Sequence, residues 1–180
     1  MASRLTPPVN EKDHVMGPHN PSIELVEYGD YQCPHCAAAH PVVKALERSY
    51  GGSLKFVFRH FPLSEIHQYA EAAAMAAEAA GRQGAYWQMH EILFSRQPEL
   101  NIRSLFDFAE TLGLNMMKFG TDIKDKGVAV KVEGDFISGM RSGVNGTPSF
   151  FINNYKYNGV YDFESMAGAI ESSIVERHHH

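Results

Sequence analysis

The chain opens with a stretch poor in apolar residues. Met1 to Pro21 is punctuated by Pro7, Pro8, Pro18 and Pro21, which predicts an irregular arm over residues 1–21 laid on the surface. From Ser22 the pattern sharpens. Ile23 to Tyr28 has the composition of a strand, and Gly29-Asp30-Tyr31-Gln32 breaks it. Val42, Val43, Leu46 and Tyr50 then recur at helical spacing, predicting a helix with one apolar face that Gly51-Gly52 stops. Leu54 to Phe61 predicts a second strand. Strand, helix and strand in this order imply a parallel pair joined by a right-handed crossover, with Cys33 at the carboxyl end of the first strand. Open α/β sheets bind and react at such ends.

The helical period then dominates: Tyr69 to Ala80, Tyr86 to Phe94, Ile102 to Leu112 and Asp122 to Met140, punctuated by Gly81, Gly84, Gly113 and Gly143. Residues 63–143 therefore read as an inserted helical subdomain. Its alanine-rich stretch is explained by packing, since alanine favours helix and lets helices approach closely. Tyr86, Trp87, Met89 and Phe94 read as helical core. The strand pattern returns at Pro148 to Ile152, turns at Asn153-Asn154 and pairs through Tyr155 to Tyr157 as a hairpin. Asp162 is placed to cap a last helix, Phe163 to Val175. The class is α/β, with residues 22–62 and 144–176 forming one domain around the insertion. Pro41, inside the first helix, cannot bond to the Ala37 carbonyl, so a kink is expected there.

With 180 residues, 44% of them hydrophobic, the chain can bury about 70% of its unfolded surface as one globular unit. Its formal charge of -5 comes from 21 acidic and 16 basic residues in mixed order, with no basic stripe to neutralise phosphates, so nucleic acid is a poor partner. No apolar run approaches the roughly 20 residues a membrane span needs, and Glu11, Lys12 and Asp13 stand where a leader would have its apolar centre. A cytoplasmic monomer is expected, or an extracytoplasmic one if a leader has been removed. Residues 177–180, ending in histidines, read as the remnant of a purification tag and are set aside.

The candidate chemistry lies in the two cysteines, Cys33 and Cys36. A disulfide closing so short a loop restricts the unfolded chain by only about 2 kcal/mol, against about 4.7 for a 100-residue loop. Reactivity is the better reason for the pair. Pro34 suits the first position of a helix, which makes Cys33 its N-cap. The amides of His35 and Cys36 can then face the Cys33 sulfur, and the helix dipole favours its thiolate, so Cys33 is the expected nucleophile. Cys36, one turn further in and shielded, is the resolving thiol. His35, if protonated or if its ring donates to sulfur, stabilises the Cys33 thiolate and hence the reduced protein, making the disulfide a stronger oxidant; the alternative is a solvated turn histidine with no electronic role. A substrate thiolate would attack Cys33 Sγ, displace Cys36 and form a mixed disulfide, which a second substrate thiol resolves. The redox-active disulfide itself serves as the only cofactor. A rival reading gives Cys33, His35, Cys36 and His40 to zinc or copper, but the second cysteine pair usual in structural zinc sites is missing.

The run Val26-Glu27-Tyr28-Gly29-Asp30-Tyr31-Gln32-Cys33-Pro34-His35-Cys36, the helical insertion and Gly146-Thr147-Pro148-Ser149-Phe150-Phe151-Ile152 resemble the DsbA-like thioredoxin-fold thiol–disulfide oxidoreductases, from about Asp13 to Val175. The resemblance implies a thioredoxin-like fold with a helical insertion between the second and third strands. It implies a cis bond before Pro148, beside the disulfide, with Thr147 pairing its backbone with an extended substrate. It also implies that Glu27 is a buried acid moving the proton of Cys36, as a carboxyl of raised pKa can. Thr147 differs from the apolar residue of the family's strongest oxidases and resembles its isomerase-like relatives. The implied partners are cysteine-containing proteins or peptides and a redox partner. A module that merely holds peptides at Thr147-Pro148, without redox chemistry, is the other rival.

Overall fold

The computed structural model describes residues 3–178; of the tail read as a tag remnant, residues 179 and 180 lie outside them. The strands are β1 (His14–Met16), β2 (Ile23–Gly29), β3 (Leu54–His60), β4 (Ser149–Ile152) and β5 (Tyr155–Tyr157). The helices are α1 (Pro34–Tyr50), α2 (Ala70–Gly81), α3 (Tyr86–Ser95), α4 (Ile102–Thr111), α5 (Met116–Asp122), α6 (Lys126–Arg141) and α7 (Phe163–His178). The sheet runs β1-β3-β2-β4-β5. This is the thioredoxin-like α/β arrangement expected, with the helical insertion between β3 and β4. The chain folds into two compact units. One holds the residues up to Tyr28, Ala38–Arg59 and everything from Ser138 on; the other holds Gly29–Ala37 and His60–Ile137.

In the first unit the central strands are buried on both faces, which is why they read as nearly continuous apolar runs: Leu25, Val26, Val57, Phe58, Phe150 and Phe151 are all fully covered. Register follows from this burial. β2 and β4 run antiparallel with Tyr28 opposite Ser149 and Glu27 opposite Phe150. β4 and β5 form the expected hairpin, Phe150 opposite Tyr157, around Asn153 at φ 47° and Asn154 at φ 79°. Two positive φ angles define the turn whose twist matches that of the strands. Asp162 caps α7 as predicted, its Oδ1 accepting from the Ser165 amide at 2.7 Å.

The N-terminal arm departs from expectation. It is not irregular throughout, because His14–Met16 pair antiparallel with Phe56–Phe58 as the strand β1. At the opposite edge Arg4 bridges Tyr155, with Leu5 N donating to Asn154 O at 2.8 Å and Lys156 N to Ser3 O at 2.8 Å. The arm thus covers both edges of the sheet, where unpaired backbone would invite association. Backbone pairing needs no side-chain pattern, so a polar, proline-rich segment hid it. Arg59 anchors the arm: its guanidinium forks onto Asp13 at 2.9 and 2.8 Å and donates to the carbonyls of Pro7 and Pro8 and to the Tyr28 hydroxyl.

In the second unit, α2 buries Ala73, Ala74, Ala76, Ala77, Ala79 and Ala80, so its alanines serve close packing. Tyr86, Met89 and Phe94 of α3 are buried as expected, whereas Trp87 is only half-buried. The helix expected over Asp122 to Met140 starts later, as α6 at Lys126, and the short helix α5 before it was not expected. Asn115 Oδ1 accepts from Lys118 N at 3.0 Å to start α5, and Asp125 Oδ2 accepts from Gly127 N at 2.9 Å at the start of α6. Short polar side chains that bond nearby amides start helices more often than they continue them. Among the described residues no helix is long and apolar enough to cross a membrane.

Candidate active site

Cys33 stands immediately before α1, and Pro34 is the helix's first residue. The Cys33 carbonyl accepts from the amides of Cys36 and Ala37, each at 3.1 Å. Those are the bonds of an N-cap residue, so the local sequence has produced the helix start its proline predicts. Cys36 is fully buried and Cys33 is 4% exposed, so little of either reaches the surface. Pro34 and His35 are the exposed residues of the motif.

The loop before the helix is held from several directions, and this explains why Gly29–Ala37 belongs to the helical unit and not with the flanking strands. The Asp30 carbonyl accepts from Cys33 N at 3.1 Å. Its carboxylate, fully buried, accepts from Gln32 N at 2.7 Å and Leu63 N at 3.0 Å, and lies 2.7 Å from His67 Nδ1. Gln32 Oε1 accepts from Tyr69 N at 2.7 Å. Gln97 Nε2 donates to Tyr31 O at 2.8 Å and to Cys33 O at 2.9 Å.

Behind the loop lies a buried layer of rings. The Tyr31 hydroxyl meets His90 Nδ1 at 2.8 Å, the Tyr31 ring packs 4.9 Å from Phe94 between centroids, and His60 Nε2 lies 2.8 Å from Glu78 Oε2. Burial, with Tyr31 and Glu78 close by, holds the Tyr86 phenol well above the usual tyrosine range, so it stays a neutral member of this layer.

Sequence reasoning missed these supports. Asp30 carried a usable signal, an Asp two residues before the amide it accepts from, as in an Asx-turn. Gln97, more than sixty residues from the motif, carried none. Of the other expected site residues, the structure brings Cys33, Pro34, His35 and Cys36 together in the second unit. Glu27, Thr147 and Pro148 stand in the first. Glu27 is 1% exposed within β2, Thr147 is half-buried, and the Thr147–Pro148 bond is cis as the resemblance implies. Among the described residues no three His, Cys, Asp or Glu side chains are gathered as metal ligands, so the set Cys33, His35, Cys36 and His40 is not assembled as one.

A C-x-x-C opening a helix, with helices inserted between β3 and β4, is a thioredoxin-like arrangement. The sequence model of the thioredoxin family matches residues 9–172, and the chain belongs to that family. BdbD of Bacillus subtilis superposes with a TM-score of 0.83 at 21% identity, covering 96% of this chain and 97% of that one. The alpha-DsbA1 of Wolbachia pipientis gives 0.83 at 23% identity, over 96% and 95%. The Na(+)/H(+) antiporter NhaA 1 of Salinispora arenicola is 40% identical over 170 residues, which are 94% of this chain but 26% of that protein. The chain thus spans about a quarter of the length of such relatives. The cytoplasmic location expected from the sequence finds no support in these comparisons.

Proposed function

We propose that the chain is a protein thiol–disulfide oxidoreductase in which Cys33 and Cys36 exchange a disulfide with substrate dithiols. The observation that carries this is Cys33 at the N-cap of α1, its carbonyl bonded to the amides of Cys36 and Ala37. A sulfur at that position meets the positive end of the helix, which favours thiolate, the nucleophilic and leaving form.

In the oxidising direction a substrate thiolate attacks Cys33 Sγ and the Cys33–Cys36 bond breaks, its electron pair going to Cys36. The substrate's second thiolate then attacks the substrate sulfur of the mixed disulfide. Cys33 leaves as thiolate, the substrate keeps a disulfide, and the two electrons remain on the protein dithiol. Reduction runs these steps backwards, with Cys36 resolving. Exposed His35, when protonated, stabilises the Cys33 thiolate. Glu27 as proton carrier for Cys36, and Thr147 and Pro148 as the substrate-pairing segment, complete the assignment, which the family resemblance supports. No further cofactor is required, and the partners are cysteine-containing proteins or peptides with a separate redox partner to reset the pair.

Turnover of a dithiol peptide in glutathione buffer tests the reading. Cys33→Ser is expected to abolish turnover while the protein stays folded. A parent chain that binds the peptide without turning it over, with binding unchanged in Cys33→Ser, would favour a peptide-holding module instead.

A further inference from the structure

Beyond α3 the chain makes a single 3₁₀ turn, Gln97–Glu99, and the first residue of this turn reaches back to the redox loop. Gln97 Nε2 stands 2.8 Å from Tyr31 O and 2.9 Å from Cys33 O. One primary amide thus gives its two hydrogens to two carbonyls of the segment that carries the cysteines. Both partners can only accept, so the amide orientation is settled by chemistry: the nitrogen, not the oxygen, must face them.

The turn is itself fixed. Arg96 forks onto Glu99 at 2.8 and 2.6 Å, and Leu100 N donates to Gln97 O at 3.1 Å. The Cys33 carbonyl already takes the amides of Cys36 and Ala37 at 3.1 Å. Gln97 is therefore a third donor onto the oxygen of the cap residue, delivered from a segment more than sixty residues away in sequence. Helix geometry alone satisfies that oxygen, so stability of α1 does not require the extra bond.

We infer that Gln97 is a positioning residue for thiol–disulfide exchange: its amide clamps the start of α1 through Tyr31 and Cys33 and sets the positive end of its dipole beside Cys33. The inference rests on the function proposed above. Only the reduced protein carries negative charge on Cys33, so a donor dipole fixed beside it stabilises the dithiol state more than the disulfide state. With glutathione the exchange is protein disulfide plus two glutathione thiols giving protein dithiol plus glutathione disulfide. Gln97 raises its equilibrium constant by favouring the dithiol side.

Gln97→Glu and Gln97→Met are compared with the parent chain in glutathione buffers, with circular dichroism to confirm folding. Gln97→Glu removes both donors and adds a negative charge. Its equilibrium constant should fall about tenfold, equivalent to about 30 mV for a two-electron couple. The thiolate absorbance of Cys33 should appear at higher pH. Gln97→Met keeps the length without donors and should shift both readouts in the same direction by less.

A purely structural Gln97 would lower the melting temperature and leave the equilibrium constant and the thiolate titration unmoved. That outcome in folded Gln97→Met, or in both variants, overturns the inference while leaving the proposed function standing. A parent chain showing no exchange with glutathione removes both together. Should Gln97→Glu fail to fold, Gln97→Met decides by the same readouts.

Discussion

Arg59 and Asp13 form a two-point ion pair, Nε to Oδ1 at 2.9 Å and Nη2 to Oδ2 at 2.8 Å, with side chains only 2% and 4% exposed. Burial works against the charge on Arg59, but the bonds to Asp13, together with Tyr28, outweigh it and hold the guanidinium firmly protonated. The pair ties the N-terminal arm to β3. Removing one partner strands a buried charge, which costs about 3–5 kcal/mol, whereas replacing both by apolar groups is often close to neutral. Asp13→Asn should therefore lower stability by about 3 kcal/mol or more, read by denaturant unfolding, and the double change Asp13→Leu with Arg59→Met should cost less than Asp13→Asn alone. A double change that costs more would show that the arm depends on this pair for more than charge compensation.

At the hairpin, Asn154 holds a φ of 79° and its side-chain oxygen is buried without a hydrogen-bond partner among the described residues. Asn154→Gly relieves the left-handed backbone and removes the unmet oxygen, worth about 1–3 kcal/mol. Against this, glycine adds about 0.5–1 kcal/mol of unfolded-chain entropy. A net gain of about 1 kcal/mol is expected, seen as a raised melting temperature. A lowered one would mean that the asparagine side chain contributes where none of its contacts suggests it.

The elements legible in the sequence were those whose periodicity or capping chemistry is local. The β2–α1–β3 unit, the hairpin at Asn153-Asn154, the Asp162 cap and the helix start at Pro34 each follow from a few neighbouring residues. What stayed hidden depends on partners distant in sequence. Arg59 reads as an interruption of an apolar strand until Asp13 is seen beside it. The arm's β1 pairs through backbone, to which side-chain patterns are blind. Gln97 reads as a polar loop residue, because a side chain that binds distant main-chain carbonyls leaves no periodic trace, and of the bonds of Asp30 only the local one to Gln32 N left a signal. The motif of the candidate site was legible, and the supports that fix its geometry were not.

The corner of α2, α5 and α6 should respond to acid. Lys118 and then Arg82 hold Asp122 below the usual carboxylate range against its partial burial, and Arg82 does the same for Asp125. The folded carboxyls bind protons less readily than the unfolded ones. Their contribution to stability is therefore present above the unfolded carboxylate pKa of about 3.9 and is lost as pH falls through the lower folded values. Melting temperature followed from neutral to acid pH should decline less steeply in Asp122→Asn than in the parent chain. Parallel declines would show that these ion pairs carry no pH-linked stability.

The most direct test of the redox assignment is the state of Cys33 and Cys36 across a series of glutathione buffers, read by thiol trapping and mass. A single two-electron transition is expected, with a mixed disulfide trapped on Cys33 when Cys36 is replaced by serine. A midpoint near about −120 mV would mark an oxidase and one near about −270 mV a reductase. A pair that shows no exchangeable disulfide at any buffer ratio would contradict the assignment of thiol–disulfide chemistry to this chain.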